Sequence, residues 1–489
     1  MNLPLQLDRG SGTPLQDQLF DQLRQLITSG KLKPNGRIIA TRFLAEQAGV
    51  SRTTVLLAYE RLIGEGYLET RPGIGTFIAA TLPDQQQRDL PRVLRSEVPR
   101  LASIRPALLR RDDRAVSQTT FPGAGFDFSP AGSDASNLLP TKVWLKGIRN
   151  AFEREPRGLA APQDSSGVLC LRQAIADHLT ASRGMMTSPE QVIVVAGRRQ
   201  ACSLVAHLFQ TAGGTVVLES PGDEEIATFF DMHRANIVRV AVDEYGLCTG
   251  QLPEGTASLA YVTPARHNPL GGIMPLARRD ALIEWARRAG AYIIEDDSDS
   301  EFRYHGTTPL PLAALDSYGL VFHAGSFGKT LGTGLDLGYL VVPSEFVDAV
   351  VGLKSLAEAN CSWLEQMVVA DLLISGEYHH HLRRVRKIYQ ERRDCLVGAL
   401  NEHFGNVRLM GADAGTQLTW LLPDGLPAAE TVRETASAYG VRLGSVSARR
   451  VTSGLVARYC DRALILGFAS SACDGLRRGI ACLAGALGG

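Results

Sequence analysis

Residues 292–304 of this 489-residue chain have the sequence YIIEDDSDSEFRY. An apolar run begins the stretch and acidic residues end it, which predicts a short buried strand at 292–295. Asp296 stands directly after that strand, at its carboxyl end. Continuous apolar strands are typical of parallel sheets that are covered on both faces. The stretch therefore predicts a carboxylate at the edge of a buried parallel sheet.

Similar apolar runs recur on both sides of this stretch, from about residue 121 to the C-terminus, and helical patterns separate most of them. An alternation of strands and helices predicts an α/β fold with a mostly parallel sheet. Strands are predicted at 192–196, 215–219, 237–242, 259–263, 292–295, 320–324, 338–342 and 464–469, and helices at 171–183, 199–210 and 277–289.

Other polar side chains are predicted at the same edge of this sheet. Asn268 follows one predicted strand, and Ser326 and Lys329 follow another. Open α/β sheets bind ligands beyond the carboxyl ends of their strands. A lysine amine, a carboxylate and an amide at such an edge suit an aldehyde cofactor that attaches to lysine and carries a protonated ring nitrogen.

A phosphate site is predicted between the strand at 192–196 and the helix that follows it. Gly197, Arg198 and Arg199 occupy this connection. The backbone N–H groups and the dipole of a helix N-terminus attract anions. The cofactor predicted from the lysine would therefore carry its phosphate here.

Residues 14–79 have the pattern of a winged helix-turn-helix. Helices are predicted at 14–29, 42–48 and 52–65, and two short strands then flank a turn at 72–75. The second helix of such a helix pair fits the major groove of DNA.

The side chains that this module would present to DNA are short or positively charged. Arg52 suits a bidentate contact with guanine, and Arg42 suits a phosphate. The candidate DNA-binding residues are Arg42, Ser51, Arg52, Thr53, Thr54, Gly73 and Gly75. The alternative is a winged helix that binds protein, in which Ser51 only caps a helix.

Composition excludes several other classes of protein. Apolar residues make up 45% of the chain and charged residues 21%, which excludes a disordered or fibrous chain. No apolar run approaches the roughly 18 residues that span a bilayer, and we expect no export signal. The eight cysteines include no C-x-x-C pair, which predicts reduced thiols, a cytoplasmic location and no metal site. Residues 1–79 carry nine basic and seven acidic side chains, a small excess that fits DNA or a solvated basic face.

Residues 37–78, RIIATRFLAEQAGVSRTTVLLAYERLIGEGYLETRPGIGTFI, resemble the GntR family of bacterial repressors. The chain from about residue 128 onward resembles fold-type I aminotransferases, most clearly in YIIEDDSDSEFRY and in SFGKTLGTGLDLGYLVVP at 326–343. Joined in one chain, the two parts resemble the MocR subfamily of transcriptional regulators.

This resemblance implies a multidomain protein. A winged helix-turn-helix is expected at 1–79, a linker rich in Gln, Arg and Pro at 80–118, and an aminotransferase-like domain at 119–489. The second domain would have the α/β fold-type I architecture with a mostly parallel central sheet.

The resemblance also implies roles for single residues. Lys329 would form the internal aldimine with pyridoxal 5'-phosphate, Asp296 would pair with the pyridine nitrogen, and Asn268 would bond the ring oxygen. Ser326 would help to hold the phosphate, and Arg462 would take the carboxylate of an effector.

The chain departs from the family pattern at four positions. Ser298 stands where a Tyr is expected, and Asp336 where an Arg is expected. Asp223 and Glu225 stand where the family has Tyr and often Arg. An Asp at 336 would repel a phosphate dianion at close range, whereas the acids at 223 and 225 would favour an effector with an additional amine.

These implications predict a cytoplasmic transcriptional regulator that is not an enzyme and has no membrane partner. It would bind double-stranded operator DNA as a domain-swapped homodimer and sense an amine or amino acid through aldimine exchange on Lys329. Two alternatives stay open: an active aminotransferase that depends on pyridoxal phosphate, and a regulator whose site has decayed or senses only the cofactor.

Overall fold

The computed structural model describes residues 3–82, 125–130, 134–209, 213–357, 361–446 and 460–488. They belong to two compact units, residues 1–112 and 113–489. All but the first three residues of the predicted linker at 80–118 lie outside the described residues.

The first unit has the winged helix-turn-helix arrangement that the sequence predicts. Its elements are α1 (Leu15–Thr28), α2 (Thr41–Ala48), α3 (Arg52–Gly64), β1 (Leu68–Arg71) and β2 (Gly75–Ile78). The two strands pair antiparallel and form the wing.

Local interactions explain where α2 ends and α3 begins. Gly49 follows α2 with φ of 65°, a left-handed conformation that glycine adopts without strain. The Ser51 hydroxyl then caps α3 by accepting a hydrogen bond of 3.1 Å from the N–H of Thr54. Ile63, which the helical pattern predicts to be buried, is exposed because it lies one residue, about 100° of rotation, past the buried Leu62.

The second unit contains two sheets. Within the described residues, an eight-stranded sheet has the order β4-β11-β10-β9-β8-β5-β6-β7, and a five-stranded sheet has the order β12-β13-β15-β14-β3. The strands are β3 (Phe126–Phe128), β4 (Val192–Val195), β5 (Thr215–Ser220), β6 (Asn236–Asp243), β7 (Gly246–Leu247), β8 (Leu259–Val262), β9 (Tyr292–Asp296), β10 (Val321–Ser326), β11 (Gly338–Val341), β12 (Arg408–Met410), β13 (Gln417–Leu421), β14 (Val441–Ser445) and β15 (Ala463–Gly467).

The large sheet confirms the mostly parallel arrangement. Strands β10, β9, β8, β5 and β6 pair parallel, whereas β11 pairs antiparallel with both of its neighbours. Because β4 pairs antiparallel with β11, it runs in the same direction as the parallel strands. Strands β4, β8 and β10 are buried along almost their whole length, as expected for a sheet covered on both faces.

Helices cover the two sheets. They are α4 (Ala135–Leu138), α5 (Thr141–Arg154), α6 (Leu169–Arg183), α7 (Gly197–Phe209), α8 (Glu224–Met232), α9 (Leu276–Ala289), α10 (Leu312–Leu315), α11 (Gly328–Leu331), α12 (Val347–Ala357), α13 (Trp363–Ile374), α14 (Glu377–Phe404), α15 (Ala429–Ala438) and α16 (Cys473–Ala486). None of the helices in the described part of the chain is both long and apolar enough to cross a membrane.

A disulfide joins Cys395 on α14 to Cys473 at the start of α16. The prediction of uniformly reduced thiols is therefore wrong for this pair. The two cysteines lie 78 residues apart in sequence, and only the packing of α14 against α16 brings them together.

Candidate functional site

Six strands of the large sheet end at the same edge, and residues of the candidate site follow five of them. Because β4, β5, β8, β9 and β10 run in one direction, the residues after them lie close together. The polar side chains placed there are Arg198, Asp223, Asn268, Asp296 and Lys329. The structure thus brings together the residues that the sequence assigns to the cofactor.

Asp296 is buried and holds several hydrogen-bond donors. The Tyr261 hydroxyl donates to its Oδ2 at 2.6 Å. The backbone N–H of Ser298 donates to Oδ1 at 3.0 Å, and the Ser298 hydroxyl donates to the same oxygen. Ser298, predicted to bind the cofactor, therefore uses its hydroxyl to fix the Asp296 carboxylate.

Lys329 lies on α11, directly after β10, with about a third of its side chain exposed. Its Nζ donates a hydrogen bond to Oδ1 of Asp299. The other oxygen of Asp299 lies 3.4 Å from Nη1 of the buried Arg266. Burial alone would raise the pKa of the Asp299 carboxyl, but Lys329 and Arg266 together hold it below its ordinary value.

Arg198 and Arg199 are paired with carboxylates. Arg198 contacts Asp223 through Nη1 and Glu225 through Nη2, the latter at 2.9 Å, and Arg199 also pairs with Glu225. Nη1 of Arg198 lies 3.9 Å from Oδ2 of Asp296. Burial alone would lower the pKa of the Arg198 guanidinium, but Asp223 and then Asp296 raise it above its ordinary value.

Asn268 belongs to the same hydrogen-bonded network, and Thr263 holds its backbone in place. Its side-chain amide donates to Oδ2 of Asp223 at 3.2 Å, and its backbone N–H donates to the Thr263 hydroxyl at 3.1 Å. The Thr263 hydroxyl in turn donates to the buried Glu219 at 2.6 Å. Burial raises the pKa of Glu219 to about 7, partly offset by the hydrogen bonds that the hydroxyl and the backbone N–H of Thr263 donate to it.

Ser326 and Asp336 flank the lysine in sequence. The Ser326 hydroxyl accepts a hydrogen bond of 3.1 Å from the N–H of Gly328, at the start of α11. The backbone φ of Asp336 is 40°. The pKa of Glu365 is raised by the partial burial of Glu365 itself and by the nearby charge of Asp336. The Asp336 carboxylate thus lies near another acid, and its effect on a bound phosphate stays a prediction.

Arg462 does not join this cluster. Its guanidinium donates to backbone carbonyls of the loop at 422–427, including that of Leu426 at 2.9 Å. Arg462 lies directly before β15, and Gly467 ends that strand. Gly467 pairs with Gln417, and the carbonyl oxygen of Gln417 accepts a hydrogen bond from Arg266. Five residues of extended strand separate the two ends by roughly 16 Å. The structure thus places the Arg462 guanidinium on the loop at 422–427, and its role as an effector clamp stays a prediction.

The predicted DNA-binding residues lie on α2, at the start of α3 and on the wing. Arg42, Arg52 and Thr53 are exposed, and within the described residues the two arginines make no hydrogen bond or ion pair. Arg37, which the sequence analysis missed, extends beside the wing, where a Cβ at Gly75 would lie 3.0 Å from its Nε.

Four further residues support the candidate site and were not predicted from the sequence. Tyr261 and Asp299 contact Asp296 and Lys329 directly, whereas Arg266 and Glu219 act through Asp299 and Thr263. Asp299 lies within the acidic stretch at 292–304, but nothing in the sequence indicates which of its acids faces the lysine.

Two family models match this chain. Residues 15–78 match the model described as bacterial regulatory proteins, gntR family, and residues 131–456 match aminotransferase class I and II. These matches coincide with the winged helix and with the sheet that carries Lys329.

Relatives share both parts of the chain. The probable rhizopine catabolism regulatory protein MocR of Rhizobium meliloti is 34% identical over 418 residues, covering 85% of this chain and 83% of the relative. The HTH-type pyridoxine biosynthesis transcriptional regulator PdxR of Corynebacterium glutamicum is 31% identical, covering 97% of this chain and 96% of the relative.

Solved structures resemble the second unit. An archaeal alanine:glyoxylate aminotransferase superposes with a TM-score of 0.68 at 25% identity, covering 79% of this chain and 96% of that one. An α-aminoadipate aminotransferase from Thermus thermophilus, solved with N-(5'-phosphopyridoxyl)-L-leucine, superposes with a TM-score of 0.67 at 25% identity, covering 77% and 94% of the two chains.

A winged helix-turn-helix joined to an aminotransferase-like unit defines a class of bacterial transcriptional regulators. The chain belongs to the GntR family of regulators and to its MocR-type subfamily.

Proposed function

We propose that this regulator binds operator DNA through its winged helix and holds pyridoxal 5'-phosphate at Lys329, where an amine or amino acid acts as effector. The observation that carries the proposal is the convergence of Lys329, Asp296 and Asn268 at one sheet edge, each with a hydrogen-bonded support. The aldehyde and ring of pyridoxal phosphate, when bound, take up amines covalently and withdraw electrons from them.

The residues fit this cofactor at its reactive end. The Lys329 side chain is about one-third exposed, Asp296 is a buried carboxylate that suits a protonated ring nitrogen, and the Asn268 amide suits a ring oxygen. Ser326 and the N–H groups at the start of α7 are the candidates for the phosphate. The fit is supported further by the relative of similar fold that was solved with a phosphopyridoxyl adduct.

The effector would bind beside these residues. Asp223 and Glu225 carry the negative charge expected for an effector with an additional amine, but Arg198 and Arg199 already neutralise them. Such an effector would therefore compete with the two arginines.

We also propose that the protein acts in the cytoplasm as a homodimer, with two winged helices on paired DNA half-sites. In the MocR subfamily the winged helix of one chain packs near the aminotransferase-like domain of the other. We propose the same domain-swapped arrangement for this protein. A coupling free energy of order 1–3 kcal/mol between effector binding and DNA binding would suffice for regulation.

Visible absorbance of the purified protein tests the cofactor proposal. Pyridoxal phosphate should produce a yellow band in the wild-type protein but not in Lys329→Ala, and an effector amine should shift that band and change operator affinity. Turnover of the amine with a keto acid would instead identify an aminotransferase. A Lys329-independent spectrum would contradict the proposed cofactor site.

A further inference from the structure

Arg198 lies between Asp296, which we assign to the ring nitrogen of the cofactor, and Asp223. Its Nη1 lies 3.9 Å from Oδ2 of Asp296 and also contacts Asp223. Oδ2 of Asp223 accepts a hydrogen bond of 3.2 Å from the Asn268 amide. Asp296, Arg198, Asp223 and Asn268 therefore form one continuous polar chain.

The acceptor positions of Asp296 are nearly filled in this arrangement. A carboxylate offers about four lone-pair positions, two on each oxygen. Oδ1 accepts from both the N–H and the hydroxyl of Ser298, and Oδ2 accepts from Tyr261. The position that remains is on Oδ2, the oxygen that faces Arg198.

A protonated ring nitrogen would need this same position. Two cations next to one carboxylate repel each other, and the repulsion is stronger in a partly buried site than in water. Arg198 also makes no hydrogen bond or ion pair with Ser326, the predicted phosphate ligand, among the described residues. Its observed partners are carboxylates, whereas a phosphate ligand would be expected near Ser326.

We propose, on the basis of the proposed cofactor function, that Arg198 is an internal competitor of pyridoxal phosphate, occupying Asp296 and Asp223 until the cofactor displaces it. After this displacement, the Arg198 side chain would remain paired with Glu225. Its carboxylate already accepts from Nη2 of Arg198 and is nearly half exposed at the edge of the site. The competitor would lower the affinity of the protein for the cofactor.

The competing role and the phosphate-binding role of Arg198 predict opposite results. Titration of the full-length apoprotein with pyridoxal phosphate, followed by the Lys329-dependent absorbance band, gives the Kd of each variant. We expect Arg198→Ala to lower the Kd about fivefold, which corresponds to roughly 1 kcal/mol. Arg198→Gln, which keeps most of the side-chain volume but not the charge, should lower it as well.

Two control variants separate this effect from a general change of charge. Arg198→Lys keeps a cation beside Asp296, and Arg199→Ala removes a cation that contacts Glu225 but not Asp296. Neither should tighten binding. An unchanged Kd in both Arg198→Ala and Arg198→Gln would overturn the proposal. A raised Kd in both would overturn it as well and would indicate that Arg198 is a phosphate ligand.

Failure of the inference is distinguishable from failure of the proposed function. If no variant, including the wild type, shows a band that depends on Lys329, the cofactor function fails and the competitor with it. If the wild type shows the band and the arginine variants bind no tighter, only the inference fails. A band that forms in Arg198→Ala but not in the wild type would support both.

Discussion

Asp299 accepts a hydrogen bond from Nζ of Lys329 through one oxygen and faces Arg266 through the other. Arg266 itself donates to the carbonyl oxygens of Ala414, at 2.9 Å, and Gln417, at 2.6 Å. Because Gln417 begins β13, the lysine is linked through two charged side chains to the five-stranded sheet. Asp299 and Arg266 thus connect Lys329 to the second sheet of this unit.

Gly415 makes this link sterically feasible. It has φ of 80°, and a Cβ at this position would lie 2.3 Å from Nε of Arg266. Only a residue without a side chain leaves room for the guanidinium to cross to the backbone of β13.

The first prediction concerns Asp299→Asn, which removes the charge but keeps the shape. Lys329 and the buried Arg266 would lose their shared carboxylate, and leaving a buried charge without its partner is costly. Because Lys329 is one-third exposed, we expect a loss of roughly 2 kcal/mol in the free energy of unfolding at pH 7. Denaturant unfolding of the full chain measures it.

The pH dependence of this loss has a definite sign. The folded-state pKa of Asp299 lies below its unfolded value, so its stabilisation is present above about pH 4 and is lost as the pH falls through the folded pKa. The difference between wild type and Asp299→Asn should therefore shrink on acidification. Asp280→Asn, at an exposed helix position, is the matched control and should change stability by less than about 0.5 kcal/mol. A constant difference down to low pH would contradict the assigned ion pair.

The second prediction concerns Glu219, whose pKa burial raises to about 7. The folded protein binds this proton more tightly than the unfolded chain, so stability falls as the pH rises from about 4.5 to above 7. Glu219→Gln removes this dependence and should be more stable than the wild type at pH 8 by up to about 3 kcal/mol. Denaturant unfolding of the wild type and Glu219→Gln at pH 5 and pH 8 tests this prediction. An equal loss of stability in Glu219→Gln at both pH values would contradict it and show that the folded protein requires Glu219 in its ionised form.

Much of the architecture could be predicted from the sequence because the strands of the large sheet are apolar and short. Strands β4, β5, β8, β9, β10 and β11 were predicted to within two residues at either end, and Asp296, Asn268 and Lys329 were placed at their ends. The five-stranded sheet was largely missed: only β15 was predicted. Strands such as Phe126–Phe128 and Arg408–Met410 are only three residues long, too short for a periodic pattern.

The partners within the site could not be predicted in the same way. Arg198 and Asp223 lie 25 residues apart and Lys329 and Asp299 lie 30 apart, and only the order of the strands brings each pair together. Arg462 stands directly before an apolar strand, as the sequence predicts, but the sequence does not show that its guanidinium lies on the loop at 422–427.

The third prediction concerns the disulfide between Cys395 and Cys473. Thiol titration of the denatured, unreduced protein should find six reactive thiols of the eight cysteines, because six are free in the structure. Cys395→Ser should lower the unfolding free energy of the oxidised protein by about 2–4 kcal/mol, since the bond restricts the unfolded chain. The same substitution should have little effect in the presence of a reductant. Eight reactive thiols under air would show that the two cysteines pack together without bonding.

The fourth prediction assigns sequence recognition to Arg52. It lies in the first turn of α3, exposed and next to the capping Ser51, where a major-groove helix contacts base edges. Loss of a bidentate guanine contact costs about 1–3 kcal/mol, so Arg52→Ala should weaken binding to an operator selected from random DNA by roughly 10- to 100-fold. Binding to non-specific DNA should change much less, and the absorbance band with pyridoxal phosphate should persist.

Arg61→Ala is the control, because Arg61 lies nine residues, about 2.5 turns, further along α3 and pairs with Asp17 and Glu65 on the other side of the helix. Equal loss of operator affinity in both variants would indicate that α3 contributes only charge, and base recognition would then have to come from the wing.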